Sequence, residues 1–266
     1  MFSDESAIAR FGVGKNMVAS MRFWATACEI IEDYDGGYST TEFGDLIFGP
    51  EGLDPYCEQP ATAWLVHWIL ASTPERTTTW HFLFNHVVQQ VFDRDTVVRL
   101  LSEAVAESRL RISSATLRRD VECCIRSYVP SAGGDSPEEM TEPLLGELGL
   151  IQHSSRGAFE FRRGDKRTLH DGVFAFALLD YWSRLEQQGA VMAFDRVAHD
   201  FGSPGRVFKL DEHAVAERLL VLEELSGGQI LWTEQAGMRQ VTRTGTALTD
   251  IQATKIRLLR AAYGKR

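Results

Sequence analysis

The chain has 266 residues, 44% of them hydrophobic, with 37 Asp and Glu against 28 Lys and Arg and a formal net charge of −9. Such a length can bury two or three modest cores, and no apolar run approaches what is needed to cross a bilayer. The acidic balance excludes a molecule that attracts nucleic acid over its whole surface, so any contact with phosphate must come from locally concentrated positive charge.

No charged and apolar leader opens the sequence, so a soluble, cytoplasmic protein with no membrane partner is expected. The four cysteines, Cys28, Cys57, Cys123 and Cys124, lack metal-ligand spacing. Adjacent Cys123 and Cys124 cannot point to one face of a helix, and reduced thiols are expected.

The N-terminal stretch organises the rest. A short periodic run (Ala7, Ile8, Phe11) stops at Gly12, and a longer one starts near Lys15. Met17, Val18, Met21, Trp24, Ala25 and Cys28 recur three or four apart, which predicts one buried helix face, with Lys15, Asn16, Ser20 and Arg22 towards the other. Asp35-Gly36-Gly37 asks for positive φ and reads as a hairpin tip. Thr41-x-x-Gly44 opens another helical turn. Helix, tight turn, helix and small hairpin predict a winged helix-turn-helix over residues 1–50, whose second helix would enter the DNA major groove. Winged helices also serve as protein docking modules. Gly12-x-Gly14-Lys15-Asn16 looks like half a phosphate loop, but Ala9 stands where that loop needs glycine and Asn16 where it needs Ser or Thr. No nucleotide cofactor is expected.

Residues 51–130 read as a helical segment with an aromatic core. Gly49-Pro50-Glu51-Gly52 is a linker. An apolar helix runs from Thr62 to Leu70 and is broken by Pro74, and Thr77 to Thr79 cap a second from Trp80 to Phe92. A third spans Asp95 to Glu107, and a fourth starts at Ser113 and Ser114 and ends before Pro130. Residues 131–190 comprise a hinge (Ser131 to Pro137), a hairpin whose arms are Ile151 to His153 and Ala158 to Phe161, and a helix from Gly172 to Leu185 capped by Asp171. Residues 191–250 repeat the N-terminal order of short helix, turn, helix and hairpin. Phe194 to Phe201 is followed by a Ser203-Pro204-Gly205 turn, a helix from Asp211 to Leu225, and strands at Ile230 to Thr233 and Arg239 to Val241. A last helix, Ala247 to Tyr263, carries the basic end at residues 251–266. The fold class expected is mainly α with small β-hairpins (α+β), with winged helix-turn-helix modules at both ends joined by a helical middle segment.

Positive charge is segregated along the chain. Arg162, Arg163, Lys166 and Arg167 cluster, and Lys255, Arg257, Arg260, Lys265 and Arg266 follow one another with no acid between them. In the first module Lys15 and Arg22 suit phosphate or guanine edges, Asn16 has the donor–acceptor pair for adenine, and Ser20 can touch either. In the second, Arg206 and Lys209 flank the turn into the long helix, while Arg239 and Arg243 lie on or just after a wing. These eight are the expected DNA-binding residues.

Cutting a phosphodiester needs charge stabilisation and an activated nucleophile, commonly carboxylates holding divalent metal or a nucleophile beside Arg or Lys. His67, His81 and His86 lie in aromatic helices, where a packed core histidine is the expectation. Asp54 and Glu58 suit capping as well as metal. Glu160, Asp165 and Lys166 have the wrong order and spacing for a nuclease pattern, and Asp211-Glu212-His213 sits where a helix start favours acids. Catalytic residues and metal ligands therefore stay unknown from the sequence.

Six blocks, FGVGKNMVASMRFW, LDPYCEQPATAWLVHW, TTTWHFLFN, TLRRDVECCIRSYV, SPGRVFKLDE and WTEQAGMRQV, resemble in order the SspB-type proteins of bacterial DNA phosphorothioation loci, a family catalogued as a conserved domain of unknown function. The resemblance covers nearly the whole chain. It implies a DNA-binding protein of anti-phage defence that nicks a strand so that sulfur can replace a non-bridging phosphate oxygen. It also implies work with a cysteine desulfurase, an ATPase and an ATP-pyrophosphatase-type sulfurtransferase, and a divalent metal (Mg or Mn) for nicking. Relatives usually carry a further N-terminal segment, whose residues cannot be carried over. The alternative is a non-enzymatic DNA-binding adaptor or regulator that recruits the sulfur-modification machinery. A protein-docking scaffold is a third reading. Winged-helix proteins often pair, so a homodimer is one expectation.

Overall fold

The computed structural model describes residues 6–108, 112–129, 142–154, 157–185 and 189–264. Helix α1 (Ser6–Phe11) ends at Gly12, whose φ of 65° turns the chain into helix α2 (Lys15–Ala27). The predicted apolar stripe of α2 is only partly covered. Val18, Ala27 and Cys28 are buried, whereas Met17 is 51% and Met21 42% exposed, as is Phe23 at 52%. Helix α2 packs mainly on α1 and on the strand that follows it. Its C-terminal half reaches the body through Trp24, edge-on to Trp80 at 5.1 Å.

Strands β1 (Ile31–Tyr34) and β2 (Gly37–Thr40) pair antiparallel, with Tyr34 opposite Gly37. The two loop residues, Asp35 and Gly36, have φ of 47° and 74°, the left-handed pair that a tight hairpin requires. Helix α3 (Glu42–Phe48) is capped by Thr41, whose hydroxyl accepts from the Gly44 amide at 2.8 Å. A Cβ on Gly44 would lie 2.2 Å from the Ile30 carbonyl oxygen, so glycine is what lets α3 close on the α2–β1 junction.

Helix α4 (Pro60–Ala71) is apolar almost all round and runs through the core against α8 (Asp171–Ser183), which is likewise buried along its length. Trp64, Trp68, Trp182, Phe174 and Phe208 are fully buried. Helix α5 (Thr78–Asn85) ends seven residues before the Phe92 that periodicity suggested. Asn85 stops it: its amide nitrogen donates to the Ala71 carbonyl and its oxygen accepts from the Gly202 amide. The chain then leaves to form strand β3 (Val91–Phe92). Helices α6 (Arg94–Glu107) and α7 (Ser114–Arg126) follow, capped by Asp93 and Ser113. The predicted hinge at Ser131 to Pro137 lies outside the described residues.

Strands β4 (Ile151–His153) and β5 (Phe159–Phe161) form the expected hairpin, and β3 adds to it in the order β3–β5–β4. Helix α8 is capped by His170, whose Nδ1 accepts from the Gly172 amide, rather than by Asp171, which receives Arg218 instead. Strand β6 (Val191–Ala193) precedes α9 (Phe194–His199). The Ser203-Pro204-Gly205 turn is the start of a short helix, α10 (Pro204–Val207), and Asp211 caps α11 (Glu212–Leu225) as expected. Strands β7 (Ile230–Gln235) and β8 (Met238–Arg243) turn at Ala236 and Gly237, both at positive φ, and β6 joins β8 to complete a second three-stranded sheet. Asp250 divides the predicted last helix into α12 (Gly245–Thr249) and α13 (Ile251–Ala261). The fold is mainly helical with small antiparallel sheets, an α+β architecture. Apart from Ala7 and Val18 on α1 and α2, its buried apolar residues form one contiguous cluster from Ala27 to Tyr263.

Candidate nucleic-acid interface

The start of α2 is open. Gly14 occupies the cap position with no side-chain bond to the first amides, and Lys15, Asn16 and Ser20 are all exposed. Amides at a helix start point outward and carry partial positive charge, so this end suits an anion. Arg22, half-buried, lies with its guanidinium 5.8 Å from the centre of the Tyr38 ring, tying the helix to strand β2. Arg10 is exposed in the last turn of α1.

The second group of expected contacts is placed differently. Lys209 is 3% exposed, donates to the Phe84 carbonyl at 2.6 Å and lies 4.1 Å from the Phe161 ring centre. Burial, reinforced by Arg163 and Arg206, holds its amine well below the ordinary lysine pKa. Arg243 is 2% exposed, donates to the Gly189 carbonyl at 3.1 Å and lies over Trp182. Arg206 donates to the Asn85 and His199 carbonyls and covers Phe201. Arg239 bridges Glu212 (2.8 Å) and Asp195 (3.3 Å). These four side chains bind their own fold together. Of these expected contacts, Lys209 at the turn into the long helix and Arg243 just after the wing are both buried side chains. Arg206 and Arg239 are half-buried and already engaged.

Folding assembles instead a cleft of about 1260 Å³ between the N-terminal elements and the body. Its body side carries Arg76, Arg184, Lys255, Arg257 and Arg260; the facing side carries Glu29, Glu32, Thr41, Glu42 and Phe43. Arg76 forms an ion pair with Glu29, a non-glycine residue held at φ 58° where α2 passes into β1. Asp180 receives Lys255 at 3.0 Å, Arg184 at 3.3 Å and the Trp68 indole at 2.9 Å. Arg184 also donates to the Ser72 carbonyl at 3.1 Å. Burial pulls both Arg76 and Arg184 below the usual guanidinium pKa, with Asp180 opposing it. The basic run on α13 was visible in sequence. Arg76 and Arg184 carried no signal, because only the tertiary fold brings them beside it.

The remaining titratable candidates have structural work. Asp54 accepts from the Glu58 and Gln59 amides and the Thr62 hydroxyl; burial raises its pKa, but these bonds outweigh that and leave it below the usual value. Asp211 accepts from the Ala214 amide and Glu212 holds Arg239 and His199. Lys166 is buried, donates to the Arg162 carbonyl and is lowered to about 8, chiefly by burial. Asp165 pairs with Arg218, and Glu160 with Gln90 and Gln152. His81 bonds the Ala71 carbonyl and His86 stacks between Phe82 and Phe201. Among the described residues no three His, Cys, Asp or Glu side chains converge to hold a metal ion. Nor is any described helix long and apolar enough to cross a membrane.

The family described as "Protein of unknown function (DUF4007)" matches residues 1–263. The chain is similar in structure to a magnesium-ion-bound SspB crystal structure, at 25% identity and a TM-score of 0.84. It is equally similar to a second SspB crystal structure, at 26% identity and a TM-score of 0.83. Each similarity covers 99% of this chain and 84% of the neighbour. No curated protein matches the chain.

Proposed function

The chain belongs to the DUF4007 family and is an SspB-type protein, and on that premise we propose that it is the DNA-binding component of a bacterial backbone phosphorothioation system in anti-phage defence, nicking one strand so that sulfur can be inserted. The observation that carries this reading is the open start of α2, with Lys15 and Asn16 exposed on it and the β1–β2 hairpin beside it. In this reading α1 and α2 with that hairpin act as a winged helix. The amides and Lys15 take phosphate, Asn16 and Ser20 reach base edges, and Arg22 is steadied by Tyr38 for the backbone. Charge at this end is mixed: Arg10, Lys15 and Arg22 lie on α1 and α2, whereas the hairpin carries Glu32, Asp33 and Asp35, so the proposed phosphate contact is confined to the start of α2. The same reading implies a cysteine desulfurase, an ATPase and a sulfurtransferase as partners, and DNA as the substrate. Magnesium, bound in one neighbour, is the metal to supply first.

A second reading, a non-enzymatic adaptor, is favoured by one feature. Exposed Phe23 borders an apolar groove of about 510 Å³ lined also by Trp24, Trp80, Leu101 and Leu117, a surface suited to a partner protein. Supercoiled plasmid incubated with the protein and magnesium or manganese separates the two. Conversion to open circles is expected. Duplex binding with the plasmid left supercoiled under both metals would overturn nicking and leave the adaptor.

A further inference from the structure

The cleft is a second binding surface, distinct from the start of α2, and we propose that it seats a short stretch of unpaired DNA strand with its phosphates on the α13 side. This rests on the DNA-binding reading above and adds a separate seat to it. About 1260 Å³ exceeds the roughly 300–1,000 Å³ of small-ligand pockets and leaves room for a segment of polymer. The positive side is assembled from three separate parts of a chain whose net charge is −9. Lys255 and Arg184 share the single carboxylate of Asp180, which leaves excess positive charge there. Arg257 and Arg260 are exposed and, among the described residues, form no ion pair. The bonds of Arg257 to Ser226 and Gln229 are long, 3.5 and 3.4 Å, and go to neutral acceptors.

The opposite wall decides between one strand and two. Glu32 and Glu42 lie on it beside Glu29, which is held by Arg76. A duplex, which carries phosphate on both sides, would bring one backbone against the two carboxylates without an ion-pair partner among the described residues. A single strand is charged on one side only. Its phosphates can face Arg257 and Arg260 while its bases turn to the other wall, where carboxylates accept from exocyclic amino groups and half-buried Phe43 offers a ring for stacking.

The test measures fluorescence anisotropy of a labelled cytosine-rich oligonucleotide and of a duplex of the same length, across salt. The proteins are wild type, Arg257→Gln with Arg260→Gln, and Lys15→Gln. The double variant is expected to lose at least tenfold in single-strand affinity and about 1.4 in the log–log salt slope, while duplex affinity stays within twofold. Both its substitutions are on the surface, and an unchanged circular-dichroism melt confirms the fold. Single-strand binding unaffected by the double variant overturns the inference while leaving the α2 reading in place, and so does an equal loss on both probes. Single-strand binding lost in the double variant, with no duplex binding by wild type, sustains the cleft and overturns the α2 reading. A poly-glutamate peptide that displaces the oligonucleotide at matching charge concentration would show the cleft to be a site for acidic peptides and overturn the strand assignment.

Discussion

His67 is fully buried among aromatic rings, its Nδ1 2.7 Å from the Tyr128 hydroxyl and its Nε2 3.0 Å from the Val207 carbonyl. A carbonyl can only accept, so Nε2 carries the proton and Nδ1 accepts from Tyr128. Burial, opposed by the Val207 bond and aided by Lys209, holds the ring down to about 3 from 6.5. The unfolded chain therefore takes up this proton as pH falls through 6.5, whereas the folded chain does so only near 3. Stability is lost between those values, at about 1.4 kcal/mol per pH unit from this group at its steepest. Urea midpoints measured at pH 6.5, 5.5 and 4.5 should fall more steeply for wild type than for His67→Phe; parallel lines would contradict the assignment. That His67 belongs to the core was legible from its place in an apolar helix. Lys209 and Arg243 were not legible. A lysine or arginine beside a turn looks the same in sequence whether it faces water or, as here, donates to a carbonyl beneath an aromatic ring.

Among the elements, those with a local cause could be read. The Asp35-Gly36 tip needs two left-handed residues, and the caps at Thr41 and Asp211 need a short oxygen side chain three residues before an amide. The strands β3 and β6, of two and three residues, are too short to show a period and exist only because β5 and β8 offer them an edge. Periodicity also tells which side of α2 is apolar but not whether anything covers it, so Met17 and Met21 were expected inside and are found outside. The joint between α2, β1 and α3 is tested at Gly44. In Gly44→Ala the new methyl would meet the Ile30 carbonyl oxygen, a backbone atom that cannot swing aside. A loss of about 2 kcal/mol or more is expected, seen as a fall in Tm of about 4–8 °C. An unchanged Tm would mean that α3 does not close on the junction as described.

At the scale of the molecule, segregated charge does not become one continuous basic groove. The C-terminal cations at Arg206, Lys209, Arg239 and Arg243 are spent on internal bonds. Exposed positive charge lies at the start of α2 and along the α13 side of the cleft, and also at Arg118, Arg119 and Arg126 of α7 and at Arg162, Arg163 and Arg167. Sequence showed the first of these and half of the second, because Arg76 and Arg184 reach the cleft from stretches with no basic pattern of their own. Helix α2 is the element proposed to meet a duplex. The most direct measurement is the salt dependence of duplex binding by wild type and by Lys15→Gln with Arg22→Gln. Removing the two proposed phosphate contacts should weaken binding on every sequence and lower the log–log slope by about 1.8. An unchanged affinity and slope would contradict it.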